Sequence, residues 1–210
     1  MDVSMNEYQK EQRDAFVMAA RYVFSLPEKD LETLRALIHE YSDYRRKVGD
    51  FLKTHFSQVC TRTCYENNRS ACCSREGIIA FFADVVVNTL VSEPWDIEAL
   101  CRVLERKNEG FKCIYLGKTG CLWKIKPIVC EMFLCDTAKD HVFSGHPELL
   151  EKWASFQTRK KDFNYPDKPV VFDQLEEVFI QAGFSSPLMY FHNSPGLLRV
   201  KRNALADKQP

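Results

Sequence analysis

The stretch Ser74–Gly110, SREGIIAFFADVVVNTLVSEPWDIEALCRVLERKNEG, decides how this chain folds. Ser74 has the side chain of a helix N-cap, and Ile78, Ile79, Phe81, Phe82, Val85, Val86 and Leu90 follow it at helical spacing. Pro94 stops that run and suits the start of a second helix, with Ile97, Leu100, Cys101 and Leu104 facing inward and an end near Gly110. Helices of roughly 17 and 15 residues rise about 22 to 26 Å each. Their lengths nearly cancel, so a fold-back at Pro94 returns the chain to the end from which it set out.

The cysteines give that return its meaning. Cys60, Cys64, Cys72 and Cys73 precede the stretch, and Cys113, Cys121, Cys130 and Cys135 follow it. Two groups that are far apart in sequence become one cluster region in space. Thiolates are soft, anionic ligands suited to zinc, copper(I) and iron–sulfur clusters, and four of them on short loops close a tetrahedral shell without a large core. Eight thiols exceed one such shell. Two metal sites, one site with spare thiols, and one cluster beside a redox-active disulfide are all open at this point. Neighbouring Cys72 and Cys73 point in different directions on most backbones, so one is expected to ligate while the other packs or reacts. Cys101, the ninth cysteine, lies at helical spacing with Leu100 and Leu104 and is expected to pack as a small hydrophobe.

Composition narrows the partners. The chain has 210 residues, 45% of them hydrophobic, which is ample for a core. Lys plus Arg and Asp plus Glu both number 29, so no net field draws the protein to nucleic acid or to an anionic membrane, and neither is expected as a partner. No run approaches the ~18 apolar residues of a membrane span, because Asp84, Asn88 and Thr89 interrupt Ile78–Val91. Met1–Asp14 is polar and lacks the basic start and apolar stretch of a secretory signal, so a cytoplasmic location is expected. Reducing cytosol disfavours structural disulfides and leaves metal binding as the reading of the cysteines.

Before Cys60 the pattern is helical. Phe16, Ala19, Ala20, Val23 and Phe24 form one stripe. Ser25 and Glu28 then have capping-box spacing, and Leu31, Leu34, Ile38, Tyr41, Val48, Leu52 and Val59 form a second stripe. An antiparallel helical hairpin is expected, with Arg45 and His55 in its stripe, the arginine extending its head to water. Between Cys60 and Cys73 no apolar period survives, which predicts an irregular loop.

Gly117-Lys118-Thr119-Gly120 predicts a tight turn between Ile114-Tyr115-Leu116 and Leu122-Trp123. Pro147–Lys160 is expected to be helical with Leu149, Leu150, Trp153 and Phe156 inward. Asp173 and Glu176 have capping-box spacing before a helix that stops at Gly183. Leu188–His192 and Leu197–Lys201 flank Asn193-Ser194-Pro195-Gly196 as a hairpin or extended arm.

A shell of four thiolates on zinc, or on an oxidised four-iron cluster, carries a net charge of minus two. Arg62, Arg69 and Arg75 lie among the first cysteines and Lys112, Lys118, Lys124 and Lys126 among the second, and the helix after Cys73 would aim its positive end at the same loop. His55, His141 and His146 flank the region without the tight spacing of ligand pairs. The sequence has no G-x-x-x-x-G-K, G-x-S-x-G or H-E-x-x-H, and no C-x-x-x-C-x-x-C, since Cys72 is the next cysteine after Cys64.

The arrangement Cys60-x3-Cys64-x7-Cys72-Cys73, a helical insert, then Cys113-x7-Cys121 and Leu-Trp-Lys-Ile-Lys-Pro-Ile-Val-Cys130-Glu-Met-Phe resembles the YkgJ-like cysteine-cluster family over about residues 60–135. Gly120, Cys121, Pro127, Cys130 and Phe133 match its second block by position. The first block is more widely spaced than the family's, Lys126 stands where arginine is common, and Cys135 replaces a frequent proline. The resemblance implies a zinc- or iron-chelating domain. The cysteine block is also distantly similar to that of flagellin lysine methylases, which implies an enzymatic alternative.

The expectations are therefore a mainly α fold organised around a cysteine-rich metal site. An amino-terminal helical hairpin (1–59) would pack on a cysteine-cluster core (60–140), followed by carboxy-terminal helices and an arm or short β-hairpin (141–210), all in one compact domain. The metal ligands would come from Cys60, Cys64, Cys72, Cys73, Cys113, Cys121, Cys130 and Cys135, holding zinc or an iron–sulfur cluster. The alternatives are an enzyme or accessory subunit of a protein- or peptide-modifying system that uses the cluster in redox chemistry, and a zinc-stabilised module that binds a protein partner.

Overall fold

Asn6 starts the helical part of the chain. Its Oδ1 accepts the amide of Gln9 at 2.8 Å, and the Gln9 side chain accepts the amide of Asn6 at 3.3 Å. This reciprocal cap opens α1 (Glu7–Val23), whose buried stripe includes Ala15, Phe16, Ala19 and Val23. The computed structural model describes residues 5–66, 73–74, 78–108, 110–117, 120–165 and 169–196, the side chains of 63–65 excepted. Among these residues the chain is mainly helical, with one small antiparallel hairpin.

The second helix, α2 (Glu28–His55), is about 42 Å long at ~1.5 Å per residue. It begins after Pro27, not on the expected Ser25 cap; the Ser25 hydroxyl instead donates to the carbonyl of Tyr22 at 2.9 Å. A single turn, α3 (Ser57–Val59), runs into a π-helical turn over Cys60–Tyr65, where an irregular loop was expected.

The centre of the fold is α4 (Phe82–Leu90), in which every residue is buried. The predicted start at Ser74 is too early. Residues 78–80 are not helical, and the helix begins only where the carboxylate of Asp84 accepts the amide of Phe81 at 3.1 Å. The next helix, α5 (Pro94–Leu104), has proline in its first turn as expected, but it ends short of Gly110. Both helices are shorter than the pattern suggested, yet they remain similar in length.

The expected pairing of α1 with α2 is not the main packing. The principal partners of α1 are α4 and α5, and α2 makes its own contacts with α3 and α4. The α1 stripe is covered by α4 and α5, whereas the α2 stripe also packs on residues nearer the carboxy terminus, as in Tyr41 on Phe172 and Phe51 on Trp153, so the two have no need of each other. The strands β1 (Leu116–Gly117) and β2 (Gly120–Cys121) pair Leu116 with Cys121 and Gly117 with Gly120. Gly120 has φ of +114°, a conformation that side-chain-bearing residues rarely adopt. Turn residues 118 and 119 lie outside the described residues.

Beyond the hairpin come α6 (Ile128–Glu131), α7 (Asp136–Phe143), α8 (Pro147–Asn164), α9 (Val171–Gln181) and α10 (Tyr190–Asn193). Trp153 and Phe156 of α8 are buried as expected, but Leu150 is exposed. They join Tyr44 and Phe51 in an aromatic cluster in which the Tyr44 hydroxyl donates to the carbonyl of Phe156 at 3.0 Å. Asp173 and Glu176 lie inside α9 rather than capping it, while Gly183, with φ of +84°, ends the chain's turn after it. The expected extended arm at Leu188–His192 is instead mostly the short helix α10, and its second half, Leu197–Lys201, lies outside the described residues.

Candidate metal centre

The cysteines of the second group are placed by three local devices. Cys113 precedes the hairpin, Cys121 ends β2 opposite Leu116, and Cys130 sits in the single turn of α6 that follows Pro127. Cys113, Cys121 and Cys130 are close enough that charge on Cys130 raises the pKa of both others, and charge on Cys121 raises that of Cys113. The first group approaches through the backbone. The amide of Cys113 donates to the carbonyl of Cys73 at 2.8 Å, and Ser74 forms a β-bridge with Lys112. The fold-back of α4 and α5 therefore brings Cys73 to Cys113, as the near-equal helix lengths anticipated.

Cys60 opens the π-helical turn and Cys135 precedes the first turn of α7; both are partly buried against the core. Cys72 and the side chain of Cys64 lie outside the described residues, as do Arg69, Arg75 and Lys118. Among the described residues no three His, Cys, Asp or Glu side chains close around a point that would hold an ion. The donor chemistry at Cys113, Cys121 and Cys130 is soft and fits zinc or an iron–sulfur cluster, and a closed shell would have to draw on Cys73 or on cysteines beyond the described residues. Cys101 packs against the core, as expected from its spacing.

Burial dominates the electrostatics of these thiols. It pushes Cys113 up to about 12, helped by Cys121 and Cys130 and opposed by the amides of Tyr115 and Leu116. It also raises Cys121, against the amide of Trp123 and the positive charge of Lys126. Without a cation the protonated form of Cys113 and Cys121 is favoured, and a bound metal would have to displace those protons. Of the expected compensating charges, Lys126 acts on Cys121, whereas Lys124 is paired with Asp96 at 2.6 Å. The helix dipole expected from Ser74 is replaced by that of α4, which starts at Phe82. The thiol of Cys130 lies 4.0 Å from the carbonyl of Ile79, just ahead of that start.

Sequence reasoning missed the polar network behind the thiols. Arg45, expected to reach water, is buried, and its Nε and Nη2 donate to Oε2 of Glu131 at 2.8 and 2.6 Å. It also bonds the Tyr41 hydroxyl and the carbonyl of Lys126. Burial raises Asp84 to about 6, against the positive charge of Arg45 and the amides of Phe81 and Ile128. The Tyr8 hydroxyl accepts the amide of Ala80 at 3.1 Å and feels the charge of Cys130, tying α1 to the cysteine region. A signal was present: Asp84 and Asn88, one helical turn apart, are the polar residues in an otherwise apolar run that also contains Thr89.

A second missed cluster lies on α9. His192 Nδ1 is 2.9 Å from Glu176, whose side chain is fully buried, and Nε2 is 3.2 and 3.1 Å from Asp173 and Glu177. Glu176 also accepts the amide of His192 at 3.1 Å, so this cluster fastens α10 to α9. His146 pairs with Glu148, and His55 lies against the ring of Phe51.

Comparison with protein-family models, curated proteins and solved structures returned no match.

Proposed function

We propose that this chain binds a soft metal, zinc or an iron–sulfur cluster, through cysteines drawn from both groups, in the manner implied by the YkgJ-like resemblance. The observation that carries the reading is the backbone hydrogen bond that brings Cys73 of the first group to Cys113 of the second, beside the mutual electrostatic influence of Cys113, Cys121 and Cys130. Partial burial raises Cys113 and Cys121 and so disfavours the free thiolate that covalent or acid–base catalysis needs, which makes a metal role the better fit. The bound group would supply Lewis acidity or a redox centre. This chain's residues would supply soft donors, a buried setting and, in Lys126, one compensating charge.

The test is anaerobic purification followed by metal analysis and visible spectroscopy. Stoichiometric colourless zinc supports a structural centre, and a brown iron-containing protein supports redox work. A folded chain that carries no metal and takes up neither zinc nor iron refutes the proposal. Cytoplasmic location belongs to the same reading, because thiols kept for metal need a reducing compartment.

A further inference from the structure

The segment 125–131 joins Cys121 to Cys130 and carries Cys130 itself, and its polar handles are taken by buried side chains of two helices. Oδ1 of Asn88 accepts the amide of Ile125 at 3.1 Å, and Oδ1 of Asp84 accepts the amide of Ile128 at 3.0 Å. From the other side, Arg45 donates to the carbonyl of Lys126 at 2.5 Å and holds the carboxylate of Glu131. Pro127, between them, has no amide to offer.

These are expensive side chains to bury. Asp84 is 2% exposed, Asn88 0% and Arg45 3%. Valine or leucine would pack on α4 without such desolvation, and Asn88 Nδ2 has no hydrogen-bond partner among the described residues. The other oxygen of Asp84 holds the amide of Phe81, so one carboxylate joins the segment carrying Cys130 to the segment beside Ile79 that the Cys130 thiol approaches.

We propose that Asp84, Asn88 and Arg45 are positioning residues that fix Cys130 relative to Cys121, so that the two thiols stand ready as a pair before any metal arrives. The inference rests on the metal-binding reading for its purpose, but the spacing of the thiols exists without metal and is testable without it. Outer residues of this kind change metal affinity by about 10- to 100-fold when removed.

The experiment uses the full chain with Asn88→Leu and Asp84→Asn, and Val87→Ala as a buried α4 control that touches none of these bonds. Two probes are titrated: phenylarsine oxide, which bridges close thiols, and cobalt(II) as a spectroscopic substitute for zinc. Protection of Cys121 and Cys130 from iodoacetamide, read by peptide mass spectrometry, reports the arsenical, and urea unfolding reports stability. The wild type should bind the arsenical at Cys121 and Cys130. Asn88→Leu should weaken this about 10-fold or more and alter the cobalt bands, whereas Val87→Ala should lose stability with unchanged affinity.

The proposal is overturned if the wild type gives no such protection, if folded Asn88→Leu binds like the wild type, or if Val87→Ala and Asn88→Leu weaken binding equally. Asp84→Asn, which keeps one acceptor oxygen, decides the matter by the same criteria if Asn88→Leu does not fold. If the arsenical pattern holds while cobalt and zinc fail to bind, the positioning role stands and the metal-binding reading falls.

Discussion

Replacing Arg45 with methionine removes the one guanidinium that serves Glu131, Tyr41 and the Lys126 carbonyl together. The Arg45 and Glu131 side chains are only 2% and 10% exposed, so water cannot readily take over. The two bonds to Glu131 alone, at about 1.5–3 kcal/mol each for a charged donor, amount to about 3–6 kcal/mol. Breaking a buried pair by removing one partner typically costs about 3–5 kcal/mol, mostly from the charge left behind. We therefore expect Arg45→Met to lose about 3–5 kcal/mol, a large part of the ~5–15 kcal/mol that holds a typical domain together. Adding Glu131→Met removes the stranded charge, so the double variant should be no less stable than Arg45→Met alone, with a coupling of about 2–3 kcal/mol. Urea unfolding followed by helical circular dichroism on the wild type, both single variants and the double variant completes the cycle. An Arg45→Met loss below ~1 kcal/mol, or strictly additive losses, would refute the reasoning.

Other outcomes follow from the same structure. Burial raises Asp84 to about 6 from 3.8, so the folded state favours the protonated acid. That stability is present below about pH 4 and lost as pH climbs through 6, amounting to up to about 3 kcal/mol, and Asp84→Asn should flatten the urea midpoint over this window. Gly49 lies in α2, and a Cβ there would meet only Oε1 of Glu131 at 3.9 Å, an ordinary contact. Gly49→Ala should therefore stabilise the chain by up to about 1 kcal/mol, seen as a higher melting temperature. His192→Ala removes a partner of the buried Glu176 and should cost about 2 kcal/mol in urea unfolding, with part regained on adding Glu176→Gln.

Much of the architecture was legible where backbone chemistry is local. Pro94 and Pro147 open helices, Gly183 closes one, and the glycines at 117 and 120 pair across the hairpin. The meeting of Cys73 with Cys113 was legible too, because it needed only two helices of similar length. What escaped was set by partners distant in sequence. The apolar residues before Phe82 match a helical period, but the helix waits for the Asp84 cap. The stripes on α1 and α2 look complementary, yet α1 packs on α4 and α5 while the aromatic residues of α2 pack on α8 and α9. Arg45 resembled a residue that reaches for solvent until Glu131, far along the chain, arrived beside it. His192 and Glu176 are joined only by the packing of α10 on α9.

The central proposal is that Cys113, Cys121 and Cys130 all take part in holding a soft metal. Metal analysis of the anaerobically purified chain, set beside Cys113→Ser, Cys121→Ser and Cys130→Ser, tests it most directly. The account predicts zinc or iron bound in stoichiometric amount by the wild type, with binding weakened or lost in each variant. A folded wild type without metal, or three variants that retain full metal, would contradict it.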